Sequence, residues 1–246
     1  MKGLKRYYTQ TTEGPYLEIN EDKFICLTGE RVFGVVDGFG GSGIGDNASE
    51  LIVNTINENY GSLVADREVT MPIFYNPSYS VELNALANTT MLSHELLKNQ
   101  NANKDSSKSG GASILVGVAQ ENSFLSLGVG KCLGLKVTTT DLIPFSMPDA
   151  SNSFSLIQGG HLTEGFPFHA LGMESAILPR LNKLEVNDGE VVLMLTDGVF
   201  GAISALEIFS VFKKNDFSVK QSVADMMALA NDRGNKDNQT VVALEF

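Results

Sequence analysis

Short apolar runs alternate with glycine-containing turns in the first forty residues of the chain. Residues 24–27 and 32–36 are rich in β-prone side chains, and Thr28-Gly29-Glu30 separates them. Two such runs around a short glycine turn predict a β-hairpin. The second run ends at Asp37, where a cluster of glycines begins.

Later segments divide into helical and strand-like patterns. Apolar residues spaced three and four apart predict helices over residues 48–60, 81–99, 204–212 and 219–230. Short apolar runs predict strands over residues 112–119, 123–129, 132–137, 191–195 and 240–246. The two stretches between these elements, residues 66–79 with two prolines and residues 99–108 with few apolar side chains, are predicted to be irregular.

The order of these elements bears on the fold class. Strands fall in hairpin groups and helices in pairs, without strict alternation, which favours a layered α+β fold with antiparallel sheets over a doubly wound parallel sheet. There is no internal repeat and no long linker, so we expect a single domain over residues 1–246.

Composition narrows the class of partner. Hydrophobic residues make up 43% and charged residues 19% of the chain, as in ordinary globular proteins. A formal net charge of −11 with no basic patch argues against nucleic acid and anionic membranes as partners. The N-terminus lacks a signal-peptide pattern and no run approaches the length of a membrane span, so we expect a cytoplasmic protein. Cys26 and Cys132 lie in apolar runs and are predicted to be buried thiols.

Acidic residues recur where the chain enters or leaves an apolar run. The four segments are Asn20-Glu21-Asp22, Asp37-Gly38-Phe39-Gly40-Gly41, Thr196-Asp197-Gly198 and Asp237-Asn238. Each one alone is typical of a turn or a helix cap. Together they suggest carboxylates that turn inward at strand ends and hold two divalent cations bridged by a shared aspartate.

These segments and four others resemble, in order, the metal-dependent protein phosphatases of type 2C, bacterial branch. The further matching segments are Gly14-x-x-Leu17 before the first acidic segment, Ser109-Gly110-Gly111-Ala112-Ser113, Gly159-Gly160-His161-Leu162-Thr163, and His169-Ala170-Leu171-Gly172. The late and closing acidic segments extend the match to residues 188–198 and 237–242. The resemblance covers nearly the whole chain, from Gly14 to Phe246.

The resemblance implies a four-layer α-β-β-α sandwich with two central, mainly antiparallel sheets and metals at one end. Asp37 would bridge two Mn²⁺ or Mg²⁺ ions, and the backbone carbonyl of Gly38 would bind one of them. Asp197 and Asp237 would complete the other ion, while Glu21 and Asp22 would act mostly through coordinated waters. The implied substrate is a phosphorylated protein, hydrolysed at phosphoserine or phosphothreonine by an activated water. Asp22, Asp37, Asp197 and Asp237 are therefore the candidate catalytic residues.

Four departures from the family pattern bear on activity. The arginine that grips the substrate phosphate is replaced by Leu17, which cannot make a bidentate contact. Lys131 and Gly201 stand where the family carries the acidic ligands of a third metal, so that site is expected to be lost. Lys131 is then either an ammonium near the vacated cation position or a surface lysine of a tight hairpin. The segment from Thr163 to His169 is also shorter than in typical relatives.

No other catalytic mechanism is suggested by the remaining side chains. His94, His161 and His169 lack the paired spacing of zinc sites and are predicted to be structural or exposed. Three functions remain open on the sequence. The first is a metal-dependent Ser/Thr phosphatase, which the presence of all four candidate aspartates favours. The second is a pseudophosphatase, a binding or regulatory module with the same fold and little turnover, and the third is a generic acidic cation-binding domain, which leaves the mid-chain resemblance unexplained.

Overall fold

The structure is a computed structural model, and it describes residues 3–40, 43–65, 71–105, 108–149, 166–173 and 176–246. Three predicted motif segments lie wholly or partly outside the described residues. The Gly159–Thr163 segment, with His161, is outside, as are Gly41 and the first three residues of the shortened segment.

Ten strands of the described chain form two antiparallel five-stranded sheets. The first sheet has the order β1-β10-β9-β6-β7, and its strands are β1 (Arg6–Thr12), β6 (Leu133–Val137), β7 (Leu142–Ser146), β9 (Val191–Leu195) and β10 (Gln239–Glu245). The second sheet has the order β2-β3-β4-β5-β8, and its strands are β2 (Asp22–Leu27), β3 (Val32–Phe39), β4 (Gly111–Ala119), β5 (Ser123–Val129) and β8 (Arg180–Glu185).

Helices cover the outer face of each sheet. They are α1 (Ile44–Ala65), α2 (Val81–Asn101), α3 (Asp197–Phe200), α4 (Ala205–Lys214) and α5 (Val219–Asp232). Helix α2 begins at the cap Ser80, whose hydroxyl accepts from the backbone of Leu83, and Ser204 and Glu207 form a capping box at the start of α4. These caps fix where the helices begin on the sheets.

Three apolar clusters define four layers. One cluster joins α1 and α2 to the second sheet through side chains such as Ile52 and Val116. Another joins α3, α4 and α5 to the first sheet through side chains such as Phe212 and Val241. The third lies between the two sheets and includes Leu115 and Val242. The predicted α-β-β-α sandwich is therefore confirmed.

Pattern did not predict strand β7, which contains a proline, or three further elements that are polar or short. Strand β1 reads Arg-Tyr-Tyr-Thr-Gln-Thr-Thr and β8 is mostly exposed, so neither carries an apolar run, and α3 has only four residues. Helix α2 extends to Asn101, so the predicted loop at residues 99–108 starts too early. Residues 71–79 contain no helix or strand, as predicted for the described part of that segment.

Two further sequence expectations can be compared with the structure. Cys132 is buried. Cys26 packs against the cluster between the sheets but is only half-buried, because it lies beside Tyr7 on the edge strand β2, so that prediction was wrong for Cys26. Within the described residues, no helix combines the length and apolar character needed to cross a membrane.

Candidate metal centre

The register of the β2–β3 hairpin brings Asp22 and Asp37 together. The two residues are directly paired across the antiparallel strands, at the start of β2 and near the end of β3. Directly opposed side chains lie on the same face of a sheet. Both are buried, with 4% and 5% of their surface exposed. The predicted hairpin turn thus sets the register of the two strands, and that register places the two carboxylates opposite each other.

Asp197 and Asp237 reach the same end from the first sheet. Strands β9 and β10 are antiparallel neighbours, so the end of β9 meets the start of β10. Asp197 begins α3 directly after β9, and Asp237 precedes β10. A Cβ atom at Gly198 would overlap the backbone oxygen of Asn238, so only glycine lets the two acidic segments approach this closely. We call Asp22, Asp37, Asp197 and Asp237 the carboxylate end of the sandwich.

A hydrogen bond from Thr196 links the two sheets at the carboxylate end. The Thr196 hydroxyl donates to Asp22 Oδ2 at 2.7 Å, and both residues are buried. Sequence reasoning missed this role, although Thr196 directly precedes a candidate ligand. The contact orients the Asp22 carboxylate, which is a requirement for any ligand or water-binding role.

Asn238 fastens the N-terminal loop beside the site. Its side-chain nitrogen donates to the backbone oxygens of Glu13 and Ile19, each at 3.0 Å, and its side-chain oxygen accepts from the Glu21 backbone at 2.8 Å. Leu17 therefore lies in a loop attached to the closing acidic segment. Its side chain is 42% exposed, so the residue at the family's phosphate-gripping position faces solvent as an apolar group.

Glu21 and Gly38 contact the start of α1. The side-chain oxygen Oε1 of Glu21 accepts from the Gly43 backbone at 3.0 Å, and the backbone oxygen of Glu21 accepts from the Gly38 backbone at 3.2 Å. A Cβ atom at Gly38 would overlap the backbone oxygen of Gly45. Close packing of α1 on β3 therefore requires glycine at position 38. That reason is independent of its predicted carbonyl ligation, which stays a prediction.

Lys131 points into the carboxylate end. Its ammonium donates to Asp197 Oδ2 at 2.6 Å and lies 3.5 Å from Asp37 Oδ2. The lysine side chain is only 14% exposed. Of the two possibilities that the sequence left open, the structure places the ammonium among the candidate metal ligands, and Lys131 is not a surface residue.

Burial and mutual repulsion shift the acid groups of the carboxylate end. Burial is the largest cause that raises the pKa of Asp22 to about 7, and the charges of Asp197 and Asp237 add to it. Burial likewise raises the pKa of Asp37 well above its usual value, against the opposing charge of Lys131. Burial alone would lower the pKa of Lys131, but Asp37 and Asp197 outweigh it and raise that pKa. With all four aspartates ionised, the cluster would carry more negative charge than Lys131 neutralises, and the raised pKa values of Asp22 and Asp37 reflect this.

The other predicted positions contribute no further ligand among the described residues. Gly201 is the C-cap of α3, and its backbone N–H donates to the backbone oxygen of Asp197 at 2.7 Å. His94 is buried and accepts from the Gly172 backbone at 3.2 Å, and His169 Nδ1 lies 2.7 Å from Asp149 Oδ2. These two contacts agree with the structural role predicted for both histidines.

The donor atoms suit a hard cation, but the geometry in the structure is that of an ion pair. Carboxylate and backbone oxygens are the ligands that Mg²⁺ and Mn²⁺ prefer. Asp37 Oδ2 is buried and accepts no hydrogen bond, which leaves an oxygen free for a cation. Within the described ranges, however, no group of three or more His, Cys, Asp or Glu side chains is arranged to hold a metal. Where Asp37 and Asp197 approach each other, the nearest cation is the Lys131 ammonium.

Comparison with known proteins supports the fold. The sequence matches no protein-family model, and it has no match among curated proteins. Solved structures do match over the full chain. PppA, described as a key regulatory component of T6SS in Pseudomonas aeruginosa, has a TM-score of 0.79 at 20% identity, with 99% of each chain covered.

Two further structures are serine/threonine phosphatases. Stp1 from Staphylococcus aureus has a TM-score of 0.80 at 17% identity, covering 100% of this chain and 97% of its own. The catalytic domain of PstP in complex with two manganese ions has a TM-score of 0.74 at 20% identity, covering 100% and 99%. The chain therefore has the fold of the bacterial type 2C Ser/Thr phosphatases, as the sequence motifs predicted.

Proposed function

We propose that the protein is a metal-dependent protein serine/threonine phosphatase with a single type 2C domain over residues 1–246. It would act in the cytoplasm on phosphoserine or phosphothreonine of protein substrates, with two Mn²⁺ or Mg²⁺ ions. The observation that carries the proposal is the convergence of Asp22, Asp37, Asp197 and Asp237 from both sheets, with an oxygen of Asp37 buried and free of hydrogen bonds. Burial makes the charged form of a carboxylate costly, and a bound cation offsets that cost.

In the proposed chemistry, some groups of the site would bind the metals and Thr196 would position a carboxylate. Asp37, Asp197, Asp237 and the Gly38 carbonyl would hold the metals, and Thr196 keeps the Asp22 carboxylate oriented. Bound metals activate a water and screen the phosphate charge. Hydrolysis breaks the bond between phosphorus and the serine or threonine oxygen, and that oxygen leaves with a proton from the water.

The decisive experiment is a turnover assay with matched acidic variants. Purified protein should release phosphate from a phosphothreonine peptide in the presence of Mn²⁺, and EDTA should abolish the release. Asp37→Ala should lower the rate of phosphate release about a thousandfold or more. Asp188→Ala is the control, because Asp188 is an exposed carboxylate whose partner is Lys5. Equal activity of Asp37→Ala and the wild type would contradict the proposal.

A second candidate, a pseudophosphatase that binds or regulates, is favoured by two observations. The Lys131 ammonium contacts two candidate metal ligands, and the phosphate-gripping arginine is absent at Leu17. This candidate predicts Mn²⁺ binding by calorimetry without turnover of any phosphopeptide, whereas the phosphatase predicts both.

A further inference from the structure

We propose that Lys131 is an internal cation that competes with a divalent metal for Asp37 and Asp197. This deepens the proposed function, since it rests on the metal site described there, but it does not require turnover. In the metal-free protein the ammonium holds the two carboxylates together. When a metal binds, the ammonium must leave Asp197.

The contacts of Lys131 are those of a ligand-bound cation. Its Nζ lies 2.6 Å from Asp197 Oδ2 and 3.5 Å from Asp37 Oδ2, so one ammonium bridges residues from the two sheets. An ammonium and a metal cannot both occupy the space between the same two oxygens, because their charges repel at this distance. Occupation of this position by Lys131 therefore weakens metal binding there.

The backbone holds Lys131 in place. Gly130, in the turn between β5 and β6, has φ of +90°, and a Cβ atom there would overlap the Ser113 side chain. The Gly130 oxygen accepts from the Asp149 backbone at 2.8 Å. Glycine thus lets the turn pack against β4, and the next residue projects its side chain toward the carboxylate end. The position of the ammonium follows from the turn and is not a chance surface contact.

A second observation points to a cation at this position. Asp37 Oδ2 is buried, and at 3.5 Å from Lys131 it is close enough for an ion pair but accepts no hydrogen bond. Lys131 therefore satisfies Asp197 but leaves this oxygen of Asp37 incompletely satisfied. With all groups ionised, the four carboxylates of the carboxylate end carry four negative charges against one positive charge. The cluster keeps a strong attraction for a metal, so Lys131 competes and does not replace it.

A matched lysine lies near the far end of β6, the strand that follows the Lys131 turn. Lys136 lies in β6 and its ammonium is 3.2 Å from Glu190 Oε2, with side-chain exposures of 13% and 15%. Lys131 has 14% exposure. The two lysines therefore share burial and ion pairing, and they differ in the number of carboxylates around them.

The test is calorimetric titration of Mn²⁺ into metal-free wild type, Lys131→Met, Lys131→Arg and Lys136→Met. We expect Lys131→Met to bind Mn²⁺ about tenfold or more tightly than the wild type, because a competing charge is removed. Lys131→Arg keeps the charge and should bind as weakly as the wild type. Lys136→Met should also match the wild type. If Lys131→Met fails to fold without metal, recovery of its circular dichroism on addition of Mn²⁺, at concentrations that leave the wild type unbound, gives the same support.

The possible results separate this proposal from the proposed function. Unchanged or weaker Mn²⁺ binding by Lys131→Met overturns the competition, even where the wild type hydrolyses phosphopeptides. Tighter binding without turnover supports the competition and contradicts the phosphatase. Absence of Mn²⁺ binding in every variant overturns the competition and the metal site together.

Discussion

The two ends of the sandwich differ in how many hydrogen-bond donors and cations surround their buried carboxylates. At one end, Lys136 and Glu190 form an ion pair, and the Glu190 carboxylate also accepts from the Asn187 backbone at 2.9 Å. Burial raises the pKa of Glu190, but these hydrogen bonds outweigh it and hold that pKa below its usual value. At the carboxylate end, the Lys131 ammonium contacts two of the four aspartates, Asp37 and Asp197, and burial raises the pKa of Asp22 and Asp37.

This difference separates a structural ion pair from a candidate active site. A carboxylate with enough donors is stabilised in its charged form, and its pKa falls. Carboxylates crowded around too few cations are destabilised, and they persist in a fold when a ligand or a reaction uses them. Charge balance, rather than the presence of acidic residues, distinguishes the candidate site from the opposite end of the sandwich.

The largest expected effect comes from crowding the carboxylate end. Gly198→Ala should destabilise the protein by about 3 kcal/mol or more, because the added methyl group would overlap the Asn238 backbone oxygen. Gly29→Ala, in the turn at the opposite end of the β2–β3 hairpin, meets open space and should change stability by less than about 1 kcal/mol. Urea unfolding measures both. Equal effects would erase the contrast between the two ends in packing.

Removal of each lysine tests the contrast in charge. Without metal, Lys131→Met should lower the free energy of unfolding by about 2–3 kcal/mol, less than a fully buried pair because Asp197 is partly exposed. Lys136→Met should cost about 1 kcal/mol, since Glu190 keeps its backbone donor. Thermal unfolding in EDTA gives the comparison. A larger loss for Lys136→Met than for Lys131→Met would contradict this contrast in charge between the two ends.

Acid groups at the two ends should respond to pH with opposite signs. The pKa of Asp22 rises from 3.8 to about 7, so its contribution to stability is present at low pH and is lost as pH rises through about 7. In EDTA, Asp22→Asn should therefore gain stability relative to the wild type as the pH rises from about 4 to about 7. Glu190→Gln should instead lose stability relative to the wild type as the pH rises and Glu190 ionises, because the lowered pKa of Glu190 means that its charged form stabilises the fold. Parallel pH profiles of the two variants in urea unfolding would refute the assignment.

The smallest effect concerns the substrate. Leu17→Arg should lower KM for a phosphothreonine peptide by about tenfold, because a guanidinium can bind the phosphate in a bidentate way. Tyr16→Arg adds the same charge to the neighbouring position, where the side chain is 71% exposed, and serves as the control. Steady-state kinetics decides, and an equal gain in both variants would indicate only a general charge effect.

Local pattern was sufficient for much of the fold. The long helices carry apolar residues spaced three and four apart, and the β2–β3 hairpin and the buried strand β9 carry short apolar runs. Strand β1 could not be found in this way, because its pairing with β10 supplies the order that its polar sequence does not indicate. The motifs also predicted the sandwich, since each was matched in order along the chain.

Contacts between distant segments could not be predicted from pattern. Lys131 and Asp197 are 66 residues apart, and Thr196 and Asp22 are 174 residues apart. The sequence left the direction of Lys131 open, because a tight turn can present a side chain to solvent or to the site. It named Gly38 as a ligand but gave no sign that the Gly45 backbone excludes a side chain there.

The most direct test of the shared cation position is a crystal structure of the wild type grown with saturating Mn²⁺, with the metal located by anomalous scattering. Our account predicts manganese bound to Asp37 and Asp197, with the Lys131 ammonium moved away from Asp197 Oδ2. Lys131 still in contact with Asp197, with no manganese at Asp37, would contradict it.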